Sequence, residues 1–238
     1  MRKYIALLIF LLLFPVLVLA GGDQVPSGVT AQQLLTDARG YLREPTASFY
    51  SDDQLLRWLN NGVLDVTART KCIHTGEGIK LVSGQSEYAV VLTYLSYENV
   101  VFESHTKTAP SGASYFKGLI RGTQNNIGHT EDVLEPVYWY DFKGLIGVYP
   151  VPGSDAAGST IYVAGVSKPP EMDLADSLTL PMIYEAPLVW YVAAQALYRN
   201  RLFNEANVLM TQYYQTIAQF REEIVNPPKE ALEDQIRR

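Results

Sequence analysis

The hydrophobic period of this chain changes twice, and the two changes divide it into three blocks. Up to about residue 70 the apolar residues recur at helical spacing. From Gly76 they fall in short β-rich runs, and from Leu180 the helical spacing returns. A pair of helices therefore stands on either side of a block of strands. Each pair is too small to bury its apolar stripe alone. The economical solution packs all four helices together and leaves the strands as an inserted lobe. The expected fold is α+β: an antiparallel helical bundle formed by the N- and C-terminal helix pairs, with an inserted antiparallel β lobe.

The N-terminal pair announces itself by its caps. Thr30 followed by Gln33 has capping-box spacing, and Val29 can staple onto Leu34. Leu34, Leu35, Ala38, Tyr41 and Leu42 then share one face, and Glu44-Pro45 stops the helix. The spacing predicts a helix over about 30–43. Ser51 and Gln54 repeat the device, with Tyr50 placed to staple onto Leu55, and predict a helix over about 51–69. Its stripe is Leu55, Leu56, Leu59, Val63 and Val66. Asp52 and Asp53 lie in its first turn, where the helix dipole favours negative charge. Capping explains this acidic pair more simply than catalysis does.

The β block is expected over about 77–166. Gly78–Val82 and Tyr88–Leu92, joined through Ser83-Gly84-Gln85-Ser86, read as a hairpin. Tyr97–Glu103 reads as a strand, Ser104 to Ser114 as an exposed loop, and 115–135 carries no assignable pattern. Val137–Tyr140 and Leu145–Tyr149 read as a second hairpin around Asp141-Phe142-Lys143-Gly144. Thr160–Val166 is the last strand. The C-terminal helices are expected at about 182–199 and 204–224. Pro181 and Pro187 fit only near the first turn. So short a break between the two helices implies that they run antiparallel.

Residues 1–20 are of another kind. Arg2 and Lys3 precede an uncharged apolar run to Ala20, which is the shape of a secretory signal. Cleavage after Ala20 would remove both charges and move the net charge from −6 to −8. Residues 21–28 read as a Gly/Pro/Ser linker. The acidic balance and the absence of any Lys/Arg run argue against wrapping nucleic acid, which needs a basic patch. Sixteen tyrosines against eight phenylalanines point to half-wet surfaces and interfaces, or simply to a Tyr-rich core rim. Cys72 is the single cysteine, so no intrachain disulfide forms.

Catalytic and metal constellations are missing from the sequence. Cys72 and His74 lack partners at zinc spacing. His74, His105 and His129 have no second histidine at i+2 or i+4 and are expected in loops. His129 near Glu131 and Asp132 reads as a mixed-charge loop. Gly76-Glu77-Gly78 lacks the third glycine of a dinucleotide fingerprint. No catalytic, cofactor-binding or metal site is expected, and no enzyme.

One ordered set of pieces carries a family resemblance. Leu145-Ile146-Gly147-Val148-Tyr149-Pro150-Val151-Pro152 is followed by the Thr160–Val166 strand and Pro169-Pro170. Leu180-Pro181 then leads into a helix with Glu185, Ala186, Leu188, Val189 and Tyr191, and Asn204–Tyr214 opens another. Phe49-Tyr50-Ser51-Asp52-Asp53-Gln54-Leu55 precedes a helix on the N-terminal side. Over about residues 29–225 this order resembles the head–tail adaptor, or connector, proteins of tailed bacteriophages. The resemblance implies a virion neck protein assembled in the host cytoplasm, a homo-oligomeric ring commonly of twelve copies. It would sit beneath the portal, contact portal and tail or neck proteins, and let DNA pass through its lumen without sequence-specific binding. No cofactor and no small-molecule substrate are implied.

The leader conflicts with that resemblance, and two accounts fit. The working chain starts near Val29, which a GTG codon would encode. Otherwise the protein is exported, and the alternative is a periplasmic or secreted binding protein of unknown ligand. At the other end, Pro227-Pro228 separates a charged tail over 226–238. Ala231, Leu232, Gln235 and Ile236 would form a narrow stripe if the tail became helical, and they are the expected partner-binding residues. The segment is too short to hold a helix alone in water.

Overall fold

The computed structural model describes residues 26–44, 46–108, 112–122 and 135–221. They divide into two compact units. One draws on the chain up to Leu59 and on Met172–Thr216, the other on Asn60–Glu171 and on the chain from Ile217. The whole is mixed α+β, with four helices and two largely antiparallel sheets among the described residues.

The helical unit begins at α1, Ala31–Leu42. Thr30 accepts the Gln33 N–H, and the Gln33 side chain accepts the Thr30 N–H, so the capping box is complete. Helix α2, Asp52–Thr70, starts with Ser51 accepting the Gln54 N–H. A 3₁₀ turn, Met182–Tyr184, leads into α3, Glu185–Arg199, and α4 follows at Phe203–Phe220. Pro187 is tolerated as the third residue of α3, where the missing N–H has no intrahelical partner. Helix α1 packs against α3. Leu34, Leu35, Leu55, Leu178, Leu180 and Leu188 are buried in this unit. Each such leucine contributes roughly 1.5–3 kcal/mol over an exposed one. Residues preceding α1 are strapped to the segment before α3: Ser27 N–H donates to Leu180 O (3.0 Å) and Leu178 N–H to Val29 O (2.8 Å).

The other unit holds two four-stranded sheets. The first has the order β1 (His74–Lys80), β8 (Thr160–Ser167), β3 (Tyr94–Thr108), β4 (Ser114–Gly118). The second has the order β2 (Glu87–Ala89), β7 (Leu145–Tyr149), β6 (Tyr138–Phe142), β5 (Ile120–Arg121). Val100, Phe102, Ile161 and Val163 of the first sheet share one core cluster with Tyr88, Trp139, Ile146 and Val148 of the second. The β6–β7 hairpin lies where the sequence places it, and the Tyr149–Pro150 peptide that follows is cis.

Three expectations for the strands fail, and one unassigned stretch turns out to hold strands. The run around Ile79 does not pair with the run around Tyr88. β1 pairs with β8, and β2 pairs with β7 in the other sheet. Gly84, at φ +80, turns the chain, and Tyr88 dives into the core and fixes the crossing. Its hydroxyl donates to Gln85 O (2.7 Å). A Thr/Gly-rich alternating strand carries little local register information, so the distant apolar partner wins. Second, the strand expected at Tyr97–Glu103 runs from Tyr94 to Thr108, well into the expected loop. Third, the lobe is not wholly antiparallel, because β5 pairs with β6 in parallel, Ile120 opposite Tyr138. The stretch left unassigned supplies most of β4, which begins at Ser114 in the expected loop, and all of β5.

Two glycines are required by close approach. Across β6–β7, Tyr140 lies flat over Gly147, where an added Cβ would stand 2.1 Å from the ring. In β8, a Cβ on Gly165 would stand 2.3 Å from the Ser96 carbonyl oxygen of β3.

Candidate assembly surface

The exposed loop after α1 is held by charge. Arg43 leaves the helix in the left-handed conformation (φ 53). Glu44 then turns back, and one carboxylate oxygen accepts the N–H groups of Ser48 (2.8 Å), Phe49 and Tyr50 (3.0 Å). Arg39, itself buried, closes the loop from below. One terminal nitrogen donates to Tyr50 O (2.8 Å) and to Asp52 Oδ1 (2.7 Å), and the other lies 3.6 Å from Glu44. The buried Tyr50 hydroxyl donates to Ala196 O (2.7 Å), pinning the loop to α3. Phe49 is 65% exposed, its ring set edge-on to Tyr50 at 4.9 Å, and follows an exposed stretch of Thr46, Ala47 and Ser48 that bears no charge.

Burial alone would push the Glu44 carboxyl up. The N–H bonds from Phe49, Tyr50 and Ser48 outweigh it and hold the group below its ordinary 4.5. A depressed native pKa stabilises the fold above the unfolded pKa, and that contribution is lost as pH falls through the native value. Glu44→Gln should therefore destabilise the protein at pH 7, with the gap to the parent closing below about pH 4.5. Chemical denaturation at pH 7, 5 and 3 checks this. A gap that stays constant with pH would show that the carboxylate charge contributes nothing.

A second surface lies on α4. Ala206, Leu209, Met210 and Tyr213 are buried, and the Tyr191 and Tyr213 rings stand 5.2 Å apart. On the opposite face Val208, Thr211, Gln212 and Gln215 are exposed at i, i+3, i+4 and i+7. No charged residue occurs between Glu205 and Arg221. Thr211 donates its hydroxyl to Asn207 O (2.7 Å) of its own helix. Solvated helix faces normally carry charge, roughly a quarter to a third of a soluble surface.

The β unit has aromatic outer faces. In the second sheet Ile120, Tyr138 and Tyr149 form one cross-strand row, and Phe142 pairs with Leu145 in another. Ile120 is 58% exposed. In the first sheet Phe116 and Tyr162 are both exposed, 6.3 Å apart, and the Tyr162 hydroxyl donates to Glu103 (2.7 Å). That carboxylate pushes the Tyr162 hydroxyl pKa up.

The residues singled out in the sequence are dispersed. Asp52 is bound by Arg39, and Asp53 is exposed in the first turn of α2. His74 begins β1 rather than lying in a loop and meets Glu98 at 2.9 Å, beside Lys71. The Lys71 hydrogen bond first, then that of His74, lowers the Glu98 pKa. His105 lies in β3 with its Nδ1 2.9 Å from Ser159 Oγ. Strand pairing, invisible from residue spacing, brings both histidines to partners. The Cys72 thiol is half-buried, and burial pushes its pKa up. Glu77 of the Gly-Glu-Gly stretch accepts the N–H groups of Val91 and Leu92. Among the described residues no group of three His, Cys, Asp or Glu side chains could hold a metal ion. Nor is any helix among them long and apolar enough to cross a membrane. His129, Glu131, Asp132, the leader, and Ala231, Leu232, Gln235 and Ile236 lie outside the described residues. Sequence reading missed the exposure of Phe49 and the uncharged α4 face. The uncharged run from Ala206 to Phe220 was the available signal.

The sequence matches the family described as SU10 adaptor protein over residues 29–235, which takes in both units. The chain belongs to the SU10 adaptor protein family. It is thereby a structural adaptor of a bacteriophage, virion-associated, of a class that contacts other phage structural proteins and is generally non-enzymatic. No curated relative matches the chain. Membership favours the adaptor reading over an exported binding protein.

Proposed function

We propose that this SU10-family adaptor forms a homo-oligomeric ring beneath the portal, at the neck between head and tail, and that DNA passes through its lumen. The reading rests on family membership. The observation that carries it is the exposed α4 face, which is uncharged in a chain of net charge −6. Copies of an acidic chain repel, and contact between them is least opposed where neither surface is charged. The four helices would pack as one antiparallel bundle carrying the β lobe. The lumen, lacking any run of Lys or Arg, would let DNA slide without sequence-specific grip. Assembly would take place in the host cytoplasm.

The tail residues Ala231, Leu232, Gln235 and Ile236 would become helical on the portal or a neck protein. Native mass spectrometry of the purified chain, alone and with portal, tests both parts. The expected result is a closed ring, commonly of twelve copies. Deletion of 227–238 should leave melting unchanged and weaken portal docking at least tenfold, about 1.4 kcal/mol. Free monomer at micromolar concentration with portal present would overturn the ring. Undiminished docking of the truncated chain would overturn the role of the tail.

A further inference from the structure

We infer that the first sheet continues from copy to copy, the open edge of β4 in one copy pairing with the open edge of β1 in the next, with Lys117 opposite Glu77. The inference rests on the ring reading and names the contact that would build the ring.

β1 and β4 are the two edges of that sheet. β1 pairs with β8 along its whole length without a bulge and contains no proline. A straight edge of this kind is a template for another strand, and proteins that must not use it blunt it with proline, bulges or inward charge. The phase of the ladders shows which groups are free. Leu81 N–H donates to Ser159 O (2.9 Å), and Leu119 N–H donates to Val100 O (2.8 Å). In both edge strands the odd-numbered residues therefore bond within the sheet. Gly76 and Gly78 of β1, and Phe116 and Gly118 of β4, turn their N–H and C=O groups to the open edges. Among the described residues no backbone group pairs with them.

The occupant follows because the two edges complement each other in direction, in phase and in charge. Every neighbouring pair in the sheet is antiparallel, so β1 and β4 run in opposite directions. When copies follow one another along the sheet, β4 of one meets β1 of the next antiparallel, as every other pair in the sheet does. Placing Phe116 opposite Gly78 and Gly118 opposite Gly76 brings free backbone groups to free backbone groups. The same register sets Lys117 opposite Glu77, on one face and with opposite charge. Within one copy Lys117 donates to Pro136 O (3.4 Å), and Glu77 accepts two N–H groups. Among the described residues neither has an ion-pair partner. Phe116, 55% exposed, would lie over Gly78, which has no side chain to obstruct it, beside Tyr162. A slip of two residues either way puts Lys117 opposite Thr75 or Ile79 and loses the charge pair. The two edges differ, so the contact is head-to-tail, the kind that closes into a ring.

The test uses the full chain with Cys72→Ser, so that no native thiol interferes. One preparation carries Glu77→Cys and another carries Lys117→Cys. Opposed residues of a non-hydrogen-bonded antiparallel pair stand about 4.5 Å apart, within disulfide reach. The two preparations, assembled together and oxidised, should give a covalent dimer on a denaturing gel, and neither should do so alone. In parallel, Phe116→Pro removes an N–H that the sheet itself does not use. It should raise the protomer concentration for half-assembly at least roughly tenfold without changing the melting temperature. A dimer from Glu77→Cys copies alone would mean two-fold pairing of β1 with β1 and would overturn the inference. Rings whose mixed copies fail to cross-link, or rings of Phe116→Pro at the parental concentration, would overturn it and leave the ring standing. The Phe116→Pro result decides where the cysteine variants do not assemble. Absence of rings in the parent, alone and with portal, would overturn both.

Discussion

Arg39→Met is expected to cost the protein about 3–5 kcal/mol, the scale for removing one partner of a buried ionic group. The methionine fills most of the volume and supplies no donor. Tyr50 O loses a donor at 2.8 Å, and Asp52 loses one at 2.7 Å. Glu44 keeps its N–H donors but loses the guanidinium 3.6 Å away. Arg39→Lys should recover less than half of the loss. A single ammonium on a flexible stem cannot reach the Tyr50 carbonyl, Asp52 and Glu44 as the planar guanidinium does. Urea denaturation of the three proteins at pH 7 decides the matter. A loss under about 1 kcal/mol for Arg39→Met would mean that the loop is held by packing and by the Tyr50 hydroxyl rather than by charge.

The second large effect lies in the β unit. Gly165→Ala puts a methyl group 2.3 Å from the Ser96 carbonyl oxygen, far inside van der Waals contact. The obstacle is backbone, so no rotamer change relieves it. β8 is also hydrogen-bonded on both sides, to β1 and to β3, so it cannot step aside. Strand β3 shifts register against β8 between Tyr94 and Ser96 and again between Tyr97 and Asn99, so the Ser96 carbonyl lies between two irregularities of the ladder. Overpacking usually costs about 1–3 kcal/mol, and a clash with fixed backbone belongs at or above the top of that range. The expected fall in melting temperature is about 10 °C. Gly118→Ala in edge strand β4 meets nothing within 4 Å and is the control. Equal melting of the two variants would show that the two strands part more easily than their pairing implies.

These two sites mark where sequence reading ran out. The helices were legible because their signals are local. The capping box at Thr30, the Ser51 cap and the prolines at 181 and 187 all act within four residues of themselves. The β6–β7 hairpin was legible for the same reason. The partner of β1 was not, because nothing within Gly76 to Lys80 distinguishes a near strand from a distant one. That decision is made by inward-facing Ile161 and Val163, some eighty residues on. Arg39 read as an ordinary helical arginine. Its burial depends on where the loop after Arg43 goes, and that depends in turn on a carboxylate five residues from Arg39. Phe49 had been read only as part of a family pattern, since exposure is decided by the loop rather than by the residue.

The pairing of β8 has a consequence for synthesis on the ribosome. The first sheet has β8 between β1 and β3, and neither of those strands pairs with the other. Until residue 167 has left the exit tunnel, two strands of that sheet wait without their shared neighbour. The helical unit waits longer still, because α1 packs on α3, whose last residue is Arg199. Local pairings such as β3–β4 and β6–β7, together with isolated helical turns, can form on the way. Contacts this distant in sequence slow folding, because the loop must close before any contact rewards it. The nascent protein therefore acquires its two units late and nearly together. A ribosome that stops between about residues 167 and 199 releases a chain that holds the strands of both sheets but lacks the complete α3 on which α1 packs.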